Sequence, residues 1–158
     1  HARNPNTPRL SGWWGYDEKT RFKMKKGFKP MKSAESWQMS NAQVFNMAAH
    51  RASLDLFDTV DMSTLAQKSY ALTGYLEFLL KQLSHLRFRI ITPENPLERG
   101  CQLSLLFSSK GKAVFDYLQQ HGVLADWREP NVIRMSPVPL YNSFQDVYAV
   151  YEVLQGFR

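Results

Sequence analysis

The sequence predicts an α+β fold, in which an irregular segment and two helices precede a small, largely antiparallel sheet with helices on one face. Three observations predict it. Apolar residues recur at helical spacing from Phe45 to Leu83. From Phe88 onward the period changes to that of strands. The elements then follow as strand, strand, helix, strand, strand, helix, an order that suits helices packed on an antiparallel sheet.

Residues 1–40 hold Gly12, Gly15, Gly27, Pro5, Pro8 and Pro30, which punctuate regular structure and predict loops with short strands. Their aromatics (Trp13, Trp14, Tyr16, Phe22, Phe28 and Trp37) call for cover. A first helix is expected from Ser40, because Ser40 and Gln43 have capping-box spacing. Phe45, Ala48, Ala49, Ala52 and Leu56 line one face of it. A break at Asp58 to Asp61 leads to a longer helix capped by Asp61 or Ser63 and ending near Ser84. Leu65, Leu72, Leu76, Leu79, Leu80 and Leu83 form its buried face.

Phe88, Ile90 and Ile91 predict a strand stopped by Pro93. Leu103, Leu105 and Phe107 predict a second. Lys110 to His121 reads as a helix with Val114, Phe115 and Leu118 inward and Gly122 as its stop. Val123–Trp127 and Val132–Met135 read as strands joined by a Glu129-Pro130-Asn131 turn. Ser143 and Asp146 open a last helix, running to about Gln155 with Val147, Val150 and Leu154 inward.

The 158 residues, 44% hydrophobic and 22% charged, suit one ordinary globular domain. No apolar run is long enough to span a membrane, and the polar, proline-rich opening is unlike a secretion signal. The single cysteine, Cys101, forbids an internal disulfide and is expected to be a buried, inert thiol. Charge is segregated: residues 1–32 carry nine Lys and Arg against Asp17 and Glu18, while the remainder is close to neutral. This argues against a nucleic-acid-binding fold as a whole. The segment from Lys19 to Lys32 interleaves cations with Phe22 and Phe28, which suits either a single-stranded nucleic acid or an exposed, Phe-anchored loop.

No metal spacing is visible among His1, His50, His85 and His121, and no phosphate-loop or nucleophile-elbow motif occurs. Three places could meet an anion. Arg134 lies in the apolar run Val132-Ile-Arg-Met and suits either a structural ion pair or a ligand carboxylate. Trp13, beside Gly12, offers an indole donor or a core aromatic. Ser40-Asn41, at the expected helix start, offers either simple capping or an anion-attracting helix end.

At these residues the sequence resembles kynureninase. Leu10-Ser-Gly-Trp-Trp-Gly15, Thr20-Arg-Phe-Lys-Met24, Ser40-Asn41, Glu98-Arg-Gly-Cys-Gln-Leu103 and Ile133-Arg-Met-Ser-Pro-Val-Pro-Leu-Tyr-Asn-Ser-Phe144 follow that family's order across the whole chain. The last block alone is also similar to related class V aminotransferases and cysteine desulfurases, which form the alternative enzyme reading. A nucleic-acid-binding module using residues 19–32 is the alternative from another class. Two departures bear on the site: Tyr16 replaces a frequent His, and Ala42-Gln43 a frequent Pro-Pro.

The resemblance implies the C-terminal portion of a fold type I pyridoxal 5'-phosphate enzyme. Residues 1–60 would be the tail of the large cofactor-binding domain, and 61–158 the small α+β domain with its long linking helix. It implies a cytoplasmic homodimer that hydrolyses L-kynurenine or 3-hydroxykynurenine, with neither nucleic acid nor membrane as partner. Trp13 and Asn41 would contact the cofactor phosphate, Arg134 the substrate α-carboxylate, and Ser40 would lie near the substrate ring. The family's Schiff-base lysine stands in a Tyr-Lys pair, and no such pair occurs in this sequence. The chain by itself is therefore expected to be inactive and to bind pyridoxal phosphate weakly or not at all.

Overall fold

Long apolar faces and side-chain caps at two of the helix starts organise residues 60–158 of the chain, whose computed structural model describes residues 7–158. Residues 1–6 of the proline-rich opening, His1 and Pro5 among them, lie outside the described residues. The described chain forms two compact units, dividing between Thr59 and Val60.

In the first unit, Asp17 N donates to Lys29 O (2.8 Å) and Met31 N to Gly15 O (2.9 Å), around a bridge between Tyr16 and Pro30. The basic segment is thus the excursion of an exposed reversal. Phe28 rests edge-on against Tyr16, and Phe22 against Trp13, with centroids 5.8 and 5.4 Å apart. Cover for the aromatics is incomplete: Trp13 is 43% and Phe22 73% exposed.

Helix α1 spans Val44–Phe57 and differs from expectation in two ways. It begins at Val44, with Gln43 as N-cap and no side-chain cap bond. Gln43 Oε1 instead accepts from Asn46 Nδ2, so it does not reach back to Ser40. Its Phe45–Leu56 face is also uncovered, and no residue of α1 is buried. This helix rests on local bonding, including the Arg51–Asp55 pair at 2.6 Å.

In the second unit, α2 (Met62–Leu80) starts where Asp61 accepts from Ser63 N (2.9 Å) and Thr64 N (3.2 Å). Leu65, Leu72, Leu76, Leu79 and Leu80 are buried along it, and Leu83 just beyond its end. Strands β1 (Phe88–Ile90), β2 (Leu103–Phe107), β3 (Asp126–Arg128) and β4 (Val132–Met135) form one antiparallel sheet in the order β1-β2-β4-β3. Helix α3 (Gly111–Gln120) ends before Gly122 at φ +78°. Helix α4 (Phe144–Gly156) opens with the expected capping box, Asp146 N to Ser143 Oγ at 3.2 Å and Ser143 N to Asp146 Oδ2 at 2.7 Å.

One sheet face is packed. Leu103, Leu105, Phe107, Ile133 and Met135 join Leu72, Leu76, Val114, Leu118, Val147 and Leu154 in a single core. Cys101 is only half-buried and precedes β2 by two residues, so it neither opens the strand nor joins the core.

Candidate functional site

The first-unit site is built by a close crossing of two chain segments. A Cβ on Gly12 would lie 2.2 Å from Met39 Cα, and one on Gly15 would lie 2.6 Å from Ser36 O. Trp13 N donates to Met39 O at 3.0 Å across the crossing. The glycines therefore admit the chain's own backbone, which brings Trp13 and Trp14 beside Ser40 and Asn41. The Trp14 indole N–H donates to Asn41 Oδ1.

Ser40 and Asn41 are exposed and lie before α1, so they are not at its N-terminus as expected. The site's donors are instead side-chain groups. No hydrogen bond joins the Trp13 indole N–H or the Asn41 amide nitrogen to any described residue. Two outward donors of this kind suit a phosphate.

Arg21, in a 3-10 turn over Arg21–Lys23, lies against the face of Trp14. Its guanidinium carbon stands 5.0 Å from the centroid of the Trp14 ring. It is 8% exposed, and its Nε is buried without a hydrogen-bond partner among the described residues.

The second-unit site occupies the unpacked sheet face. Arg134 pairs in register with Ser104 on one side and Asp126 on the other, so the three side chains share a face. The alternate residues Ile133 and Met135 point into the core. Arg134 Nε and Nη2 both donate to Asp126 Oδ2, which also pairs with Arg128 Nε at 3.0 Å. The ion-pair reading of Arg134 is thus realised, at a residue that still reaches solvent. A separate, open apolar cleft lies along Leu76, Val123, Met135, Pro137, Val147 and Val150, and Arg134 is not part of its lining.

Arg99 has a different task. Its Nη2 reaches Glu77 Oε2 at 2.6 Å and its Nη1 reaches Pro93 O at 3.1 Å, fixing the loop before β2 to α2.

Trp14 and Asp126 escaped sequence reasoning. A signal existed for Asp126: Pro130 lies midway between residues 126 and 134, so a tight turn there pairs them. Trp14 offered only its neighbour.

Residues 65–154 match the family model described as the kynureninase C-terminal domain. The chain belongs to the kynureninase family. It is 51% identical over 148 residues to a kynureninase of Koribacter versatilis, covering 94% of this chain and 35% of that protein. It is 45% identical over 158 residues to one of Flavobacterium johnsoniae, covering 98% and 37%. Against one of Xanthomonas campestris pv. campestris it is 50% identical over 157 residues, covering 96% and 37%. The chain spans little more than a third of these relatives' length. Among solved structures, a C-DES mutant with glycine covalently linked to its PLP cofactor matches at TM-score 0.71 and 16% identity, over 96% of this chain and 38% of that one. That likeness supports the fold, and family membership favours the enzyme reading over a nucleic-acid module.

Proposed function

We propose that this chain is the C-terminal portion of a pyridoxal-phosphate-dependent hydrolase that cleaves L-kynurenine or its 3-hydroxy form to the anthranilate and L-alanine. Family membership supports the reaction class. The observation that carries the site is that the donors expected to meet anions are not sealed in a core: Trp13 and Asn41 are exposed, and Arg134 lies on the open sheet face.

In this reading, Trp13 Nε1 and Asn41 Nδ2 would hold the cofactor phosphate. When bound, the cofactor supplies the electron sink for carbon–carbon cleavage. Arg134 holds the substrate α-carboxylate with the guanidinium edge that Asp126 leaves free, and so fixes which bond stands where the cofactor acts. Ser40, exposed beside Asn41, borders the aromatic ring. Residues 1–60 belong to the large domain and 61–158 to the small one, and the working enzyme is a homodimer.

The test uses the full-length protein, assayed for anthranilate release. Arg134→Lys should raise KM for kynurenine at least tenfold, on the scale of a lost bidentate charge-assisted bond, with unchanged cofactor affinity. Trp13→Phe should weaken the cofactor and leave KM near its original value once the cofactor saturates. A full-length protein that releases neither anthranilate from kynurenine nor 3-hydroxyanthranilate from its 3-hydroxy form would overturn the reading. The 158-residue chain alone should give no absorbance band of bound cofactor, since it holds no Tyr-Lys pair.

A further inference from the structure

An asparagine amide is nearly symmetric in shape and opposite in function at its two ends. Its oxygen repels an anion and its NH2 group attracts one, and rotation about the last side-chain bond exchanges them. An exposed Asn41 free to rotate would present the wrong end in part of its population.

The neighbour of Asn41 removes that freedom. An indole N–H only donates, so Trp14 selects the amide oxygen of Asn41 as its acceptor and rejects the nitrogen. With Oδ1 committed to Trp14, both Nδ2 hydrogens are directed away from the indole. The residue that fixes this orientation lies 27 positions earlier in the chain and is carried there by the Gly12–Met39 crossing.

The indole is itself polarised. The Arg21 guanidinium lies on its face at 5.0 Å, inside the range where a cation draws on the ring's electrons. Among the described residues no carboxylate forms an ion pair with Arg21. Asp17, whose backbone oxygen accepts from Arg21 N at 2.9 Å, commits its carboxylate to Thr20 and Lys29. A cation on the ring makes the N–H a stronger donor, and a stronger bond at Oδ1 makes the amide hydrogens more positive. Arg21, Trp14 and Asn41 form a relay whose polarity runs toward an anion at Asn41 Nδ2.

We propose that Trp14 is a positioning residue for the cofactor phosphate, orienting the Asn41 amide under the polarising charge of Arg21. This rests on the reading that Asn41 meets the phosphate.

The test titrates the full-length apo protein with pyridoxal phosphate and, separately, with pyridoxal, which has no phosphate. Trp14→Phe keeps the ring and removes the N–H. It should raise the Kd for pyridoxal phosphate on the order of tenfold and leave that for pyridoxal unchanged. Asn41→Ala should do the same, and the double variant should be no weaker than the stronger single one. Asn41→Asp retains an acceptor for Trp14 but has no amide hydrogens, so the Trp14 indole proton resonance should not move upfield while phosphate affinity falls. In Asn41→Ala that resonance should move upfield. If Asn41→Ala weakens the cofactor and Trp14→Phe does not, the positioning role is overturned and the reading of Asn41 survives. If Asn41→Ala leaves the cofactor affinity unchanged, that reading fails and the proposal with it. Equal weakening toward pyridoxal and pyridoxal phosphate in Trp14→Phe, additive effects in the double variant, or an indole resonance unmoved in Asn41→Ala would each overturn it as well.

Discussion

Asp126 and Arg134 face each other across β3 and β4, and a single carboxylate oxygen of Asp126 takes both Nε and Nη2 of the arginine. The Nε edge of the guanidinium is therefore spent, and Nη1 with the second hydrogen of Nη2 forms a free fork. Asp126 is 46% exposed, so the pair should contribute less than about 1 kcal/mol to stability. Its larger effect is to fix the direction of that fork. Asp126→Ala in the full-length protein should leave the melting temperature within a few degrees and raise KM for the carboxylate substrate several-fold. Unchanged KM in steady-state kinetics would reject this role.

Glu77 joins Arg99 and Lys81, with both contacts at 2.6 Å. Burial pushes its carboxyl up, but hydrogen bonds from Lys81 and Arg99 outweigh that and leave it below the ordinary glutamate range. A depressed folded-state value means the contribution is fully present above the unfolded glutamate value, about pH 4.3. It is lost as pH falls through the lower, folded-state value. Glu77→Gln should cost about 1–3 kcal/mol at neutral pH, and the gap from the parent should narrow on acidification. Denaturant melts at neutral and acidic pH check both parts.

Leu72 and Leu105 are 0% and 1% exposed and belong to the same core. Either one changed to Ala should lower stability by about 2–5 kcal/mol. Phe45→Ala, on the uncovered face of α1, should cost under about 1 kcal/mol in the isolated chain. Equal losses at Leu72 and Phe45 in urea titration would contradict the packing described for these two helices.

A methyl group on Gly12 would meet Met39 Cα at 2.2 Å, and this is backbone that has no rotamer to yield. Gly12→Ala should part the two segments, remove the Trp14–Asn41 bond and weaken cofactor binding by more than Trp14→Phe does. Gly100→Ala is the control, since a Cβ there meets nothing within 4 Å. Cofactor titration of both variants separates a local clash from a general intolerance of alanine.

The second unit was legible because its signals are local. The leucines of α2, the Leu103–Phe107 alternation and the Ser143–Asp146 box each state a structure within one or two turns of chain. The first unit was less legible because distant segments decide it. Ser40 and Gln43 have capping-box spacing, yet Gln43 turns to Asn46 and Asn41 is held by Trp14, which leaves the chain extended to residue 43. Arg134 is intermediate: its strand was readable, but its partner depends on sheet register. The burial expected of Cys101 failed because the strand begins two residues later than the apolar run suggests.

Both outer strands of the sheet are three residues long. Arg89 interrupts one, Asp126 and Arg128 bracket the other, and Pro93 and Pro130 follow shortly after. Short, charged borders ended by proline resist the addition of a foreign strand. A second copy of this chain cannot readily extend the sheet laterally at either border. The acidic group that guards the β3 border is the same one that aims Arg134, so removing it would expose the border to stray association as well as release the arginine.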